Sequence, residues 1–249
     1  MTDRTNAGFG FSTEDTVIVT GAGSGIGRAC AVLAAAQGLR VAAVDLDEDA
    51  AGAVAAEIEA AGGVATAYGT DVTDEDAVAA TLAAIGRDGA PRHLVNNAGP
   101  AASSPLDFAA GLTAAAGSME SVTRLWLDLD PPRPATVVFV SSIAGNLTGG
   151  AQDWYASAKA AIAGYMRRLA VGHGARLRAN AVAPGLTDTP RMNEYVRSEI
   201  GEDMVSRTPL GRAGRAEDVA WAILFLLSPR ADYLTGVYLP VDGGVTIAP

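Results

Sequence analysis

The chain of 249 residues is 49% hydrophobic and 18% charged, ample material for one sizeable core and too apolar for disorder over its bulk. Its formal net charge of −10 provides no basic stripe for nucleic acid and disfavours anionic membrane surfaces, so neither is an expected partner. One cysteine, Cys30, and two histidines, His93 and His173, permit neither an internal disulfide nor a thiolate or His-rich metal site. The polar N-terminus lacks the apolar core of a leader. The apolar run 219–227 is far short of the roughly 20 residues that cross a bilayer. The expectation is a soluble, cytoplasmic protein.

In chain order, residues 1–13 are expected as a flexible extension and 14–249 as a single domain. Strand patterns at 17–20, 41–45, 64–68, 93–96, 136–141, 177–183 and 237–241 are short and nearly all apolar. Between them, helical patterns run over 25–37, 48–61, 75–85, 106–129, 153–171 and 217–227. This alternation implies an α/β fold, a parallel sheet with helices on both faces. The Pro-rich piece 130–134 stops one helix before the next strand. Residues 187–215 break the alternation, carry Pro190 and Pro209, and hold a helical run at 193–200. Such an excursion in a compact α/β domain is usually a lid or binding loop.

The strongest local signal is Thr20-Gly21-Ala22-Gly23-Ser24-Gly25-Ile26-Gly27, placed directly after the first strand and before the first helix. Glycines let the backbone turn tightly and approach a pyrophosphate, and the helix start aims unpaired N–H groups at it. Asp45 ends the second strand, about 20 residues further on, where a carboxylate binds adenosine ribose hydroxyls and repels a 2′-phosphate. The pattern therefore favours NAD(H) over NADP(H), with Arg28 and Arg40 as the nearby cations that would reverse the preference.

Lys159 is the single lysine among 18 basic residues and lies four residues after Tyr155. That spacing puts both on one face of a helix. An ammonium beside a phenol stabilises phenolate, so Tyr155 is expected to exchange protons near neutrality.

From these residues outward the chain resembles the short-chain dehydrogenase/reductase family over nearly its whole length. The glycine spacing at 20–27 matches that family's version, with Gly21, Ser24, Gly25, Ile26 and Gly27 in the cofactor loop and Leu46 beside Asp45. Asp71-Val72 resembles its adenine-contacting pair, and Asn96-Asn97-Ala98-Gly99 its NNAG motif. Ser142 with Tyr155-Ala-Ser-Ala-Lys159 matches its catalytic set. Pro184-Gly185 with Thr187 and Thr189 matches the segment at the nicotinamide end, and Val241-Asp242-Gly243-Gly244 the C-terminal motif. The resemblance implies a Rossmann-type doubly wound sheet. It also implies hydride transfer between nicotinamide and an alcohol carbon, with Tyr155 as acid in reduction and base in oxidation and Ser142 holding the substrate oxygen. A homotetramer or homodimer is implied too. Asn97 is read as tying strands together more than as catalytic.

One departure stands out. The family's asparagine in the helix after NNAG is missing: none occurs between Asn97 and Asn146, and the local pattern puts Gly111 at that position. That absence motivates a competing reading, an NAD(H)-binding protein with little or no turnover. Candidate substrate residues beside Ser142 are Leu147, Trp154, Leu186 and Met192, with Pro100, Ala101, Ile143 and Tyr195 in the same loops. Their apolar character suggests a hydrophobic secondary alcohol or ketone, alicyclic or steroid-like. Arg191 and Arg197 are the residues that would instead meet an acidic substrate.

Overall fold

The computed structural model describes residues 8–88, 90–148 and 152–248. Its centre is a seven-stranded sheet in which every neighbouring pair is parallel. The strands are β1 (Asp15–Thr20), β2 (Arg40–Asp45), β3 (Val64–Gly69), β4 (Ala90–Asn96), β5 (Ala135–Val140), β6 (Leu177–Pro184) and an edge strand described below. Side chains on a strand point alternately to opposite faces. Val17 and Val19 of β1 enter one core with Cys30, Val54 and Leu224, whereas Ile18 enters the other with Leu94, Trp126 and Met166. Both faces are covered, which is why these strands read as unbroken apolar runs.

One layer is formed by α1 (Gly25–Ala36), α2 (Glu48–Ala60) and a C-terminal helix, and the other holds α3 (Glu75–Asp88). The region expected as one helix over 106–129 is α4 (Phe108–Leu112) and α5 (Ser118–Asp128), joined through a π turn at Thr113–Gly117. A Cβ on Gly111 would lie 2.5 Å from the Trp154 indole, so α4 is seated by that ring. Helix α6 (Asp153–His173) follows.

The excursion opens with β7 (Thr187–Asp188), which pairs with β8 (Gly214–Arg215). The run expected as one helix at 193–200 is two, α7 (Asn193–Val196) and α8 (Glu199–Ser206). They separate because the Ser198 hydroxyl caps α8 by accepting from the Gly201 N–H at 3.2 Å. Helix α9 (Ala216–Leu227) and edge strand β9 (Tyr238–Val241) complete the chain. Buried Arg178 of β6 donates to the carbonyls of Leu226, Leu227 and Ser228 at 2.7 to 3.0 Å, satisfying the orphan end of α9.

Of the expected N-terminal extension, residues 1–7 lie outside the described residues. Phe9 and Phe11 rest on the core, 5.9 Å from Trp221 and 5.5 Å from His93 between ring centroids. No described helix is long and apolar enough to cross a membrane. The strand order β3-β2-β1-β4-β5-β6-β9 reverses direction between β1 and β4. In open α/β sheets that reversal leaves a crevice at the carboxyl ends of the strands.

Candidate active site

A cleft of about 820 Å³ opens at that crevice, lined by the glycine loop, Asp45, Asp71, the Asn97–Gly99 turn and Thr189. The loop after β1 is tight because its glycines leave no alternative. A Cβ on Gly27 would sit 1.9 Å from the Gly21 carbonyl oxygen, and Gly21 and Gly25 have φ of +68° and +54°. Ser24, extended and next to α1, makes no side-chain cap, which leaves the helix's first N–H groups for an anion. Bare backbone and free donors at a helix start suit a dinucleotide's pyrophosphate.

Asp45 stands at the other end of this cradle. Its carboxylate accepts from the Gly23 N–H at 2.8 Å and the Asp47 N–H at 3.1 Å, which fixes the group at the cleft wall. Arg28 is held by Glu57 at 2.6 Å, and Arg40 begins β2 while Asp45 ends it. Leu46 lines the same end and is 73% exposed. Asp71 and Val72 line it too, with the Asp71 side chain closing a turn onto the Thr73 N–H and hydroxyl. Asn97 reaches back through Nδ2 to the carbonyls of Thr20 and Gly21 at 3.0 and 3.2 Å, tying β4 to the glycine loop. Ala98 and Gly99 continue the wall.

The remaining motif residues divide. Thr189 packs over Gly25, 3.4 Å from where a Cβ would be. Thr187, by contrast, is buried and its hydroxyl donates to the Gly185 carbonyl. Gly185 lies against the backbone of Asp242, and Pro184 ends β6 in the interior. These three are not among the cleft-lining residues; they hold the loop that carries Thr189.

Ser142 follows β5, and Tyr155 and Lys159 stand one turn apart on α6. The Ser142 hydroxyl accepts from the Ala144 N–H at 3.2 Å, and its side chain acts on the Tyr155 phenol in the direction that favours ionisation. Lys159 is buried, its Nζ 5.6 Å from the Tyr155 ring centroid and donating to the Val140 carbonyl at 2.9 Å. Burial, then the Arg191 charge, brings the Lys159 pKa down to about 8. Burial pushes the Tyr155 pKa up, and the Ser142 side chain and Arg191 only partly oppose it. The direction is thus opposite to the lowering expected from Lys159. Its ammonium faces the ring and the Val140 carbonyl, so the phenol stays protonated.

A residue that sequence reasoning missed completes this cluster. Tyr238 of β9 donates to the Ser142 carbonyl and lies 3.3 Å from the Ser141 hydroxyl. Ser141 in turn donates to the Lys159 carbonyl at 2.8 Å. The peptide carrying Ser142 is thus pinned to β9, and α6 to the end of β5. Tyr238 had no local signal, being an aromatic in an edge strand 96 residues away.

The substrate candidates are the least well matched. Trp154 is 2% exposed and packs on Gly111, Ala115 and Ala158, so it seats α4 and does not face the cleft. Ile143 is buried. The Leu147 side chain falls outside the described residues. Leu186 and Met192 are half-buried, and Tyr195 donates to the Met204 sulfur at 3.5 Å. Pro100 and Ala101 do line the cleft, as does Arg191, the candidate for an acidic substrate, and they are joined by Ser104, Leu106 and Ala114, which the motifs did not indicate. Among the described residues no cluster could hold a metal ion.

Comparison with known proteins gives a consistent result. A family model described as enoyl-(acyl carrier protein) reductase matches residues 21–246. The chain is 34% identical to a 3-oxoacyl-(acyl-carrier-protein) reductase of Thermotoga maritima, over 92% of this chain and 97% of that protein. It is 39% identical to cis-4-hydroxycyclohexanecarboxylate dehydrogenase of Sinomonas cyclohexanicum, over 94% and 97%. A solved 7α-hydroxysteroid dehydrogenase, complexed with NADH and 7-oxo glycochenodeoxycholic acid, superposes with a TM-score of 0.86 at 31% identity, covering 94% of this chain and 97% of that one.

Proposed function

The chain belongs to the short-chain dehydrogenase/reductase family, and on that premise we propose that it is an NAD(H)-dependent oxidoreductase of hydrophobic, ring-bearing secondary alcohols and ketones. The observation that carries the reading is buried Lys159 with its Nζ 5.6 Å from the Tyr155 ring centroid, in one cluster with Ser142, and a cleft that presents Asp45 and is lined by Arg191, whose charge reaches Tyr155. Bound nicotinamide would supply or accept the hydride. The glycine loop and the start of α1 would hold its pyrophosphate, and Asp45 its adenosine ribose.

The chain's own residues manage the oxygen. In reduction, the Ser142 hydroxyl orients the ketone oxygen and the protonated Tyr155 gives it a proton. The phenol O–H breaks, an O–H forms on the product, and the phenolate is reprotonated from solvent. Oxidation runs the same transfer backwards. A buried phenolate is costly, and the Ser142 side chain and the Arg191 charge reduce that cost.

NAD(H) in preference to NADP(H) follows from the carboxylates at the ribose end, with Arg28 committed to Glu57. The ring-bearing substrate class is supported by the apolar rim of Pro100, Ala101 and Leu106. One relative is named for a cyclohexane alcohol that carries a carboxylate, and the solved hydroxysteroid dehydrogenase is complexed with an oxo steroid acid. A homodimer or homotetramer fits the family.

The test is oxidation of NADH and NADPH side by side over alicyclic, steroid, aromatic and β-keto substrates. The reading expects clear NADH preference with at least one cyclic ketone. NADPH preference would retire the Asp45 assignment. Tight NADH binding without oxidation of either cofactor would return the reading of a cofactor-binding protein without turnover.

A further inference from the structure

The cleft is electrically lopsided. Asp45, Asp47 and Asp71 stand at its ribose end, whereas Arg191 is the one cation among its described lining residues. Arg191 comes from the excursion and donates through Nη1 to the Gly99 carbonyl at 3.2 Å, reaching from one wall to the other. Among the described residues it forms no ion pair, and neither does Lys159. The charge of Arg191 nevertheless bears on both Tyr155 and Lys159.

Lys159 is buried and Arg191 exposed at the cleft wall, and with no carboxylate paired to either among the described residues their positive charges are open to a bound anion. A guanidinium has five N–H donors in a planar fork, and the Gly99 carbonyl engages one of them. The cofactor's pyrophosphate already has donors at the start of α1, so it does not require this cation. Pro100, Ala101, Leu106 and Ala114 give the same cleft apolar wall, with Ser104 and Thr189 as polar members.

We propose that Arg191 is the anchor for a carboxylate on the substrate. The substrate is then an apolar ring that bears the reacting hydroxyl or oxo group toward Ser142 and Tyr155 and an acid group toward the guanidinium. This rests on the reading of the chain as a dehydrogenase.

Binding without turnover tests the anchor first. Calorimetry of the enzyme–NADH complex with cyclohexanecarboxylate and with cyclohexanecarboxamide should show the acid binding at least ~10-fold tighter, as a charge-assisted hydrogen bond allows. Arg191→Gln keeps a donor for the Gly99 carbonyl and removes the charge, and should bring that ratio close to one. In turnover, the kcat/KM ratio of an oxo-substituted cyclohexanecarboxylate over its methyl ester should fall by about 10–100-fold in the same variant. Equal losses on acid and ester would make Arg191 a loop-holding residue. A matching loss of NADH affinity would assign its charge to the pyrophosphate. Either result overturns the proposal. If neither ketone is reduced while the preference for the carboxylate still vanishes in the variant, the anchor stands and the dehydrogenase reading fails.

Discussion

The two ends of the cleft are made of different materials. The nucleotide end is backbone: Gly21, Gly23, Gly25 and Gly27 allow close approach, and Asn97 spends its amide on main-chain carbonyls. The proposed substrate end is side chains from distant segments, with Arg191 of the excursion in the cleft wall and Ser142 after β5, Tyr155 and Lys159 on α6 and Tyr238 on β9 beyond its lining residues. A backbone site tolerates no added atom but asks little of residue identity beyond glycine. A side-chain site tolerates changes of shape but fails when one functional group goes. The two ends should therefore break under different substitutions.

The largest effect is expected at the substrate end. Tyr155→Phe should lower kcat by about 10³-fold, within the range that a general acid supplies, while NADH titrated against its fluorescence still binds. A variant with near wild-type kcat would remove Tyr155 from the proton transfer.

Gly27→Ala attacks the other end by adding one methyl. Its Cβ would meet the Gly21 carbonyl oxygen at 1.9 Å, so urea denaturation should show a loss of ~3 kcal/mol, the upper part of the range for overpacking. A loss well below 1 kcal/mol would mean that the loop yields easily and the cradle is not rigid.

Asp45→Asn sharpens the contrast, since it changes a charge at the backbone end without altering its shape. The ratio of NADH to NADPH in kcat/KM should drop by about 10–100-fold, as expected for a charged hydrogen bond. An unaltered ratio would show that the preference is set elsewhere.

The smallest effect is a pH trend in stability. The Lys159 pKa in the folded protein, about 8, lies below its ordinary 10.5. Between those values the unfolded chain binds more protons than the folded one, so this group's contribution to unfolding free energy increases as pH rises. Below pH 8 the full cost of a buried charge is present, and it is relieved toward 10.5. The Tm of unliganded wild type should therefore gain on that of Lys159→Met between pH 8 and 10. Parallel curves would show that Lys159 is not titrating from a buried position.

The same difference in materials decided how much could be read from the sequence. The sheet and its two-sided core were legible because β1 and β2 are apolar at consecutive positions. The glycine loop was legible because its spacing is a steric requirement carried by adjacent residues. The pairing of Tyr155 and Lys159 followed from helical periodicity. The tertiary contacts did not follow from local pattern. Trp154 pattern-matched a pocket residue next to Tyr155 but is seated on Gly111, and a π turn at Thr113–Gly117 stands where an uninterrupted helix was expected. Tyr238 joins the site only after the chain has folded across 96 residues, and Arg191, named as a candidate from its place in the excursion, owes its contact with Gly99 to a fold across 92. The direction of the Tyr155 pKa also depends on burial, which spacing alone does not encode.

The most direct test of the central claim is the fate of a label. NADH deuterated at the transferring position would be supplied with a cyclic ketone, and the product alcohol examined by NMR for deuterium on its carbinol carbon. The account predicts one deuterium there with wild type, on a single face, and no labelled alcohol with Tyr155→Phe over the same time. Cofactor oxidation that leaves the carbinol carbon unlabelled, or equal labelling by the variant, would contradict it.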